Sequence, residues 1–280
     1  MISGTELSKK IKESIKTIID GIIADNRRRP CLATILVGDD PASKVYVANK
    51  ERACNAVGIE NNLDILDEYT TEEELLNIID FYNNDDSVDG ILVQLPLPKH
   101  INTENVLKHI NPKKDVDGFH PKNVADLWLG NECIKPCTPQ GIMDLIESAG
   151  IDLKGQHVVV LGRSNIVGLP IAKMCLDRNA TVTICHSKTE NLANITKQAD
   201  VLIVAIGKPK FVTADMVKLG TVVIDVGINK DENGKLCGDV DFDDVFSEKT
   251  ERITPVPGGV GPMTIACLLK NTLKCYFNNV

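Results

Sequence analysis

The chain has 280 residues, 43% of them hydrophobic and 25% charged, with 31 Lys and Arg against 39 Asp and Glu for a formal net charge of −8. That length and apolar content suit two compact domains with sizeable cores, and exclude a disordered or fibrous chain. The acidic balance, with no basic run longer than Arg27-Arg28-Arg29, argues against a nucleic-acid partner, and an anionic small substrate would need a locally basic site.

Apolar β-branched runs alternate with amphipathic stretches almost from end to end, the pattern of a parallel α/β architecture. Residues 5–24 read as a helix, Cys31–Val37 as a buried strand, Pro41–Val57 as a helix and 63–66 as a short strand. A helix over about 71–82 and a strand over 90–94 follow, then Leu95-Pro96-Leu97-Pro98, whose prolines end the strand and stiffen the next loop. Residues 111–141, with four prolines, three glycines and little periodicity, read as a connection, and the domain boundary is placed there. Beyond it come a strand at His157–Leu161, a helix from about 167, a strand at Thr181–Cys185, a helix near 191, and strands at 201–206 and 221–226, a dinucleotide-fold pattern. The expected fold is therefore α/β: two parallel-sheet domains flanking a cleft, the second Rossmann-like.

The apolar runs are too short to span a bilayer, so no membrane association is expected. Nine cysteines lie scattered, without any Cys-x-x-Cys, and Met1-Ile2-Ser3-Gly4 opens no signal peptide; reduced thiols in a cytoplasmic protein, with no metal site, is the reading.

Gly162-Arg163-Ser164-Asn165-Ile166-Val167-Gly168-Leu169-Pro170 follows an apolar strand and opens a helix, the context in which glycines let backbone amides approach a pyrophosphate. Ser164 stands where G-x-G-x-x-G has its second glycine, and a plain strand-to-helix turn is the alternative. At the end of the next strand, Cys185-His186-Ser187-Lys188 carries no carboxylate to hold ribose hydroxyls, while Arg163, Ser187 and Lys188 offer donors to a 2′-phosphate, which favours NADP over NAD. Alternatively, Ser187 caps the following helix and Lys188 is a solvated charge. In the first half, Asp39-Asp40-Pro41 specifies a helix start, and Tyr46 and Lys50, four residues apart, share one face of that helix. By itself an exposed lysine is ordinarily a solvated group.

Several segments in one order carry a resemblance: Ser43-Lys44-Val45-Tyr46-Val47-Ala48-Asn49-Lys50, Val93-Gln94-Leu95-Pro96-Leu97-Pro98, Lys114-Asp115-Val116-Asp117-Gly118-Phe119, Pro136-Cys137-Thr138-Pro139, the Gly162 loop, Cys185-His186-Ser187, and residues 253–264. Over essentially its whole length the chain resembles the bifunctional methylenetetrahydrofolate dehydrogenase/methenyltetrahydrofolate cyclohydrolase family. The resemblance implies a homodimer of one-carbon metabolism and tetrahydrofolate interconversion, serving purine and amino-acid biosynthesis. It implies that Lys50 is the catalytic lysine, Gln94 holds it, Tyr46 packs against the folate and Asp117 hydrogen-bonds the pterin. Pro257, Gly258 and Gly259 would line the substrate site, and Gly162, Arg163, Ser164, Ser187 and Ile228 would hold NADP. Residues 1–120 would form the folate domain, 121–262 the NADP domain, and a final helix over 263–280 would return to the first. Ala125 stands where many relatives have glycine, which puts no matched site residue in doubt. A dehydrogenase that has lost hydrolysis or prefers NAD, another two-domain NADP dehydrogenase, and a non-catalytic cofactor-sensing binding protein are the competing readings. Intact Lys50, Gln94, Arg163 and Ser187 argue against the first, the Tyr46/Lys50 and Gln94 constellation against the second, and the presence of every candidate catalytic residue against the third. No role is assigned to the five histidines.

Overall fold

A computed structural model describes residues 1–279. In chain order, α1 (Gly4–Ala24), β1 (Cys31–Val37) and α2 (Pro41–Val57) open the fold. The start of α2 is set by Asp40, whose carboxylate accepts from the Ser43 amide and hydroxyl, both at 2.8 Å, with Pro41 in the first turn. Gly58, at φ 89°, takes the left-handed conformation that ends it. β2 (Glu60–Leu66) precedes α3 (Glu72–Asn84), which a reciprocal Thr71–Glu74 capping box starts, and β3 (Gly90–Val93) follows.

Next come α4 (Thr103–His109), α5 (Pro121–Leu129) and α6 (Cys137–Ser148). The expectation that 111–141 is an irregular connection is therefore wrong in part. Two of its prolines serve helix starts, Pro121 in the first turn of α5 and Pro139 in that of α6, and Gly130 at φ 77° closes α5. The remainder is β4 (His157–Leu161), α7 (Gly168–Leu176), β5 (Thr181–Cys185), α8 (Leu192–Thr196), β6 (Val201–Val204), β7 (Val222–Asp225), the small antiparallel pair β8 (Asn229–Lys230) and β9 (Leu236–Cys237), α9 (Phe242–Glu248) and α10 (Val260–Asn279).

By its contacts the chain divides into two units. One, called here the three-stranded unit, comprises Lys10 to Cys137 and the residues from Ile265 on; the other, the four-stranded unit, comprises Met1 to Lys9 and Thr138 to Thr264. The expected boundary at 120/121 falls inside the first of these. α5 stays with it because the Asn123 amide donates to the Pro112 carbonyl and the Asp115 carboxylate, both at 2.9 Å.

Within the three-stranded unit the sheet order is β2-β1-β3, all parallel, and every residue of the central strand β1 is buried. A strand covered on both faces reads as a near-continuous apolar run, as Cys31–Val37 does but for Thr34. In the four-stranded unit the order is β5-β4-β6-β7, again parallel. Both sheets wind outward in two directions from their first strand. Each therefore has a switch point at the carboxyl ends of β1/β3 and β4/β6, where loops leave in opposite directions and ligands bind.

The register of β3 depends on an ion pair whose carboxylate is buried. Asp89 accepts two 2.7 Å bonds from the Arg28 guanidinium and one of 2.9 Å from the Cys31 amide, and Arg28 also lies 5.1 Å from the centroid of the Tyr276 ring. Replacing Arg28 by Met strands a wholly buried carboxylate. Unfolding in urea should show a loss of about 3 kcal/mol, at the low end for a broken buried pair because the guanidinium keeps some solvent.

Candidate active site and nucleotide loop

At the switch point of the three-stranded unit, Lys50 projects from α2 and its Nζ donates to Oε1 of Gln94 at 2.9 Å. Gln94 directly follows β3. Its amide prolongs the ladder by donating to the Ile35 carbonyl at 2.8 Å, and its Nε2 donates to the Leu95 carbonyl at 2.6 Å. Both ends of the Gln94 side chain are thus committed, which fixes its oxygen toward the lysine. Lys50 and Gln94 are half-buried, and Tyr46, one helical turn before Lys50, remains 37% exposed. Burial pushes the Tyr46 phenol above its ordinary pKa.

Asp117 sits on a turn that runs beside β3, where the Ile91 amide donates to the Lys114 carbonyl at 2.7 Å. The turn is shaped by the buried Asp115, whose carboxylate accepts from the amides of Gly118 at 3.1 Å and His120 at 2.8 Å and from Asn123. Gly118 has φ +70°, and a Cβ there would lie 2.7 Å from the Lys135 carbonyl carbon, so only glycine fits. Burial raises the Asp117 carboxyl above its usual range, opposed by the nearby Lys50 charge. The buried Cys137 thiol donates to the Val116 carbonyl of the same turn at 3.3 Å. From α10, the buried Asn271 amide donates to the Val116 and Lys135 carbonyls at 2.8 and 2.9 Å, with the Cys137 sulfur at 3.5 Å. The structure therefore brings Lys50, Gln94 and Asp117 together and adds Cys137 and Asn271. Cys137 lay within a quoted motif but carried no distinguishing signal; Asn271, 155 residues from its Val116 partner, had none.

In the four-stranded unit, Gly162 follows β4 at φ +130°, and a Cβ there would stand 2.2 Å from the Ala205 carbonyl oxygen. A Cβ on Gly168 would stand 2.4 Å from the Gly162 carbonyl oxygen, so this turn is tight enough to demand glycine at both ends. Ser164 occupies the place of the motif's second glycine for a local reason: its hydroxyl accepts from the amides of Val167 and Gly168 at 3.2 and 3.3 Å, closing the turn that leads into α7. Arg163 and Ser187 are exposed beside the ends of β4 and β5. Ser187 does not cap α8, whose N-cap position is Asn191; the His186–Thr189 turn instead closes through the His186 amide and the Thr189 hydroxyl at 2.8 Å. Ile228 is exposed after β7. The 257–259 segment is pinned by the start of α1: the Gly258 carbonyl accepts from the amides of Gly4 and Thr5 at 2.9 and 3.0 Å, and a Cβ on Gly4 would overlap the Gly259 oxygen.

Tight glycine turns between a buried parallel strand and a helix, with donors beside them and no carboxylate at the end of β5, define a nucleotide-binding α/β protein. The three-stranded unit, with a lysine held by a glutamine beside the half-buried Asp117 carboxyl, narrows the class to enzymes. Residues 2–117 match the catalytic domain, and 136–280 the NAD(P)-binding domain, of tetrahydrofolate dehydrogenase/cyclohydrolase. The bifunctional protein FolD of Acetivibrio thermocellus is 54% identical over 98% of this chain and 95% of its own length. Among solved structures, the bifunctional FolD dehydrogenase/cyclohydrolase of Campylobacter jejuni superposes with TM-score 0.97 at 52% identity, covering 100% of this chain and 99% of that one. The Trypanosoma brucei enzyme, solved with NADP cofactor and inhibitor, gives 0.94 at 38% identity over 99% and 97%. The chain belongs to the tetrahydrofolate dehydrogenase/cyclohydrolase family.

Gly162→Ala tests the nucleotide turn. The added methyl collides with backbone rather than with a flexible side chain, so the turn must shift, and nicotinamide-nucleotide affinity measured by calorimetry should fall about tenfold or more, equivalent to roughly 1.4 kcal/mol.

Proposed function

We propose that the protein oxidises 5,10-methylenetetrahydrofolate with NADP and then hydrolyses the 5,10-methenyl product to 10-formyltetrahydrofolate, a bifunctional step of one-carbon metabolism. The observation that carries this reading is the 2.9 Å Lys50–Gln94 hydrogen bond beside Asp117, in a chain more than half identical to a bifunctional relative.

In the oxidation, the methylene carbon sits between two nitrogens whose lone pairs expel a hydride, and NADP supplies its acceptor. No proton has to be removed, so the protein's task is orientation. Tyr46 offers a flat apolar surface to the folate rings, Asp117 accepts from the pterin N–H groups, and Pro257, Gly258 and Gly259 contribute backbone to the substrate. Gly162, Arg163, Ser164, Ser187 and Ile228 hold the nucleotide: the tight turn admits a pyrophosphate, the Ser164 hydroxyl bonds order that turn, and Arg163 with Ser187 and Lys188 receives a 2′-phosphate.

Hydrolysis differs because water must lose a proton as it attacks the methenyl carbon, and a ring nitrogen must gain one as the bond opens. Lys50 handles that proton. Gln94, held by its own backbone contact, keeps the Lys50 nitrogen in place through the cycle. Lys50→Met should therefore abolish cyclohydrolase activity while retaining a measurable fraction of dehydrogenase activity. Equal loss of both in a folded variant that still binds folate refutes the division of labour.

Asp117 gives a second test, through pH. Its raised pKa means that it gains a proton at a higher pH than an ordinary carboxyl; once protonated it no longer accepts fully from the pterin. The KM for the folate should rise as pH falls through that raised value, and Asp117→Asn should start from a KM about tenfold higher and lack the acid limb.

The reading extends to a cytoplasmic homodimer. All nine cysteines are buried, which fits a reducing compartment, and no described helix is long and apolar enough to cross a membrane. The edge strand β5, with Ile184 36% exposed, supports self-association.

A further inference from the structure

We infer that Asp239 is a positioning residue for the nucleotide, tying the segment after β6 to the segment after β7 so that the surfaces beside Gly162 and at Ile228 keep one spacing. The inference rests on the nucleotide placement proposed above.

The device has two tiers. Asp225, at the end of β7 and 2% exposed, accepts from the amides of Gly227 at 3.0 Å, Asp239 at 2.9 Å and Val240 at 3.0 Å, drawing residues 238–240 under the strand end. A Cβ at Gly238 would lie 1.7 Å from Asp225 Oδ2, so that close passage demands glycine. The second tier is Asp239 itself, 0% exposed. Its Oδ2 accepts from the amides of Ile206 at 2.7 Å and Gly207 at 3.0 Å, and its Oδ1 from the Lys208 amide at 2.7 Å and the Asn229 side chain at 2.8 Å. A Cβ at Gly227 would stand 2.4 Å from the Asp239 carboxyl carbon, so the carboxylate fills the room that the missing side chain leaves.

The partners reveal what the carboxylate is for. The 206–208 loop begins at Ala205, which donates to the Leu161 carbonyl at 2.8 Å and whose own carbonyl lies against Gly162. Asn229 directly follows Ile228. One buried side chain thus fastens, through four donors, both segments that flank the nucleotide candidates. No other residue type provides four acceptor sites of this reach in so small a volume: asparagine offers a single oxygen and would turn an amine toward donors. The neighbouring Asp225 carboxyl is pushed up to about 7, chiefly by burial, against the pull of its three amide donors.

The test uses the full-length chain with Asp239→Asn, the milder Asn229→Ala, which removes one donor of the four, and Arg163→Ala as the reference for the nucleotide site. Three quantities are read: NADP affinity by calorimetry, the dehydrogenase KM and kcat for NADP, and the cyclohydrolase rate on supplied methenyltetrahydrofolate without nucleotide. Asp239→Asn should raise the NADP Kd and KM about tenfold and Asn229→Ala two- to fivefold, with kcat at saturating NADP and the nucleotide-free cyclohydrolase rate within about threefold of the parent. Should Asp239→Asn fail to fold, Asn229→Ala decides by the same split. NADP affinity unchanged in the folded variants while Arg163→Ala weakens it overturns the inference alone; affinity and cyclohydrolase falling in parallel reduce Asp239 to general support and also overturn it. Unchanged affinity in all three variants defeats the proposed nucleotide placement together with the inference.

Discussion

A parallel sheet wound both ways from its central strand must leave a gap where two neighbouring loops depart in opposite directions, and both candidate sites occupy such gaps. In the order β2-β1-β3 the gap lies past β1 and β3, so α2 brings Lys50 to the residue that follows β3, Gln94. In the order β5-β4-β6-β7 it lies past β4 and β6, and the Gly162 turn closes on Ala205. The strands beneath are buried and mostly apolar, and β1's one polar side chain, Thr34, is spent on Asn61, which confines the chemistry to the carboxyl ends.

Each unit also buries a carboxylate whose work is to gather backbone amides. Asp115 shapes the turn that presents Asp117, and Asp239 gathers the 206–208 loop and Asn229. Removing a carboxylate from water is costly, and three or four short hydrogen bonds offset that cost only in one backbone arrangement. The same bonds that stabilise the loops therefore make them specific, and the glycines at 118, 227 and 238 are there because carboxylates or backbone occupy the space of a side chain.

How far the sequence revealed this depended on the range of the interactions. β1, α2, β4 and β5 were legible to the residue, because their limits are set by local chemistry: a near-continuous apolar run, an Asp-Pro start, a glycine stop. β2 extends three residues further back than its apolar part, since on an edge strand Glu60 and Asn62 reach solvent while Asn61 accepts from the Thr34 hydroxyl of β1. α5 and the start of α6 were hidden by prolines that begin helices as readily as they break them. Of the candidate site, the Gly162 turn was visible from its strand-turn-helix context. The pairing of Lys50 with Gln94 was not, because 44 residues separate partners that only the sheet order joins, and family resemblance supplied it. Cys137, Asn271 and Asp239 act through contacts that have no periodicity or motif of their own.

The most direct measurement supplies the protein with methylenetetrahydrofolate and NADP, against an enzyme-free control, and follows nicotinamide reduction and the methenyl absorbance band together. The account expects NADPH to form while methenyltetrahydrofolate fails to accumulate and formyltetrahydrofolate is recovered in matching amount. Methenyltetrahydrofolate accumulating in step with NADPH would contradict the second activity, and an absence of nicotinamide reduction would contradict the account as a whole.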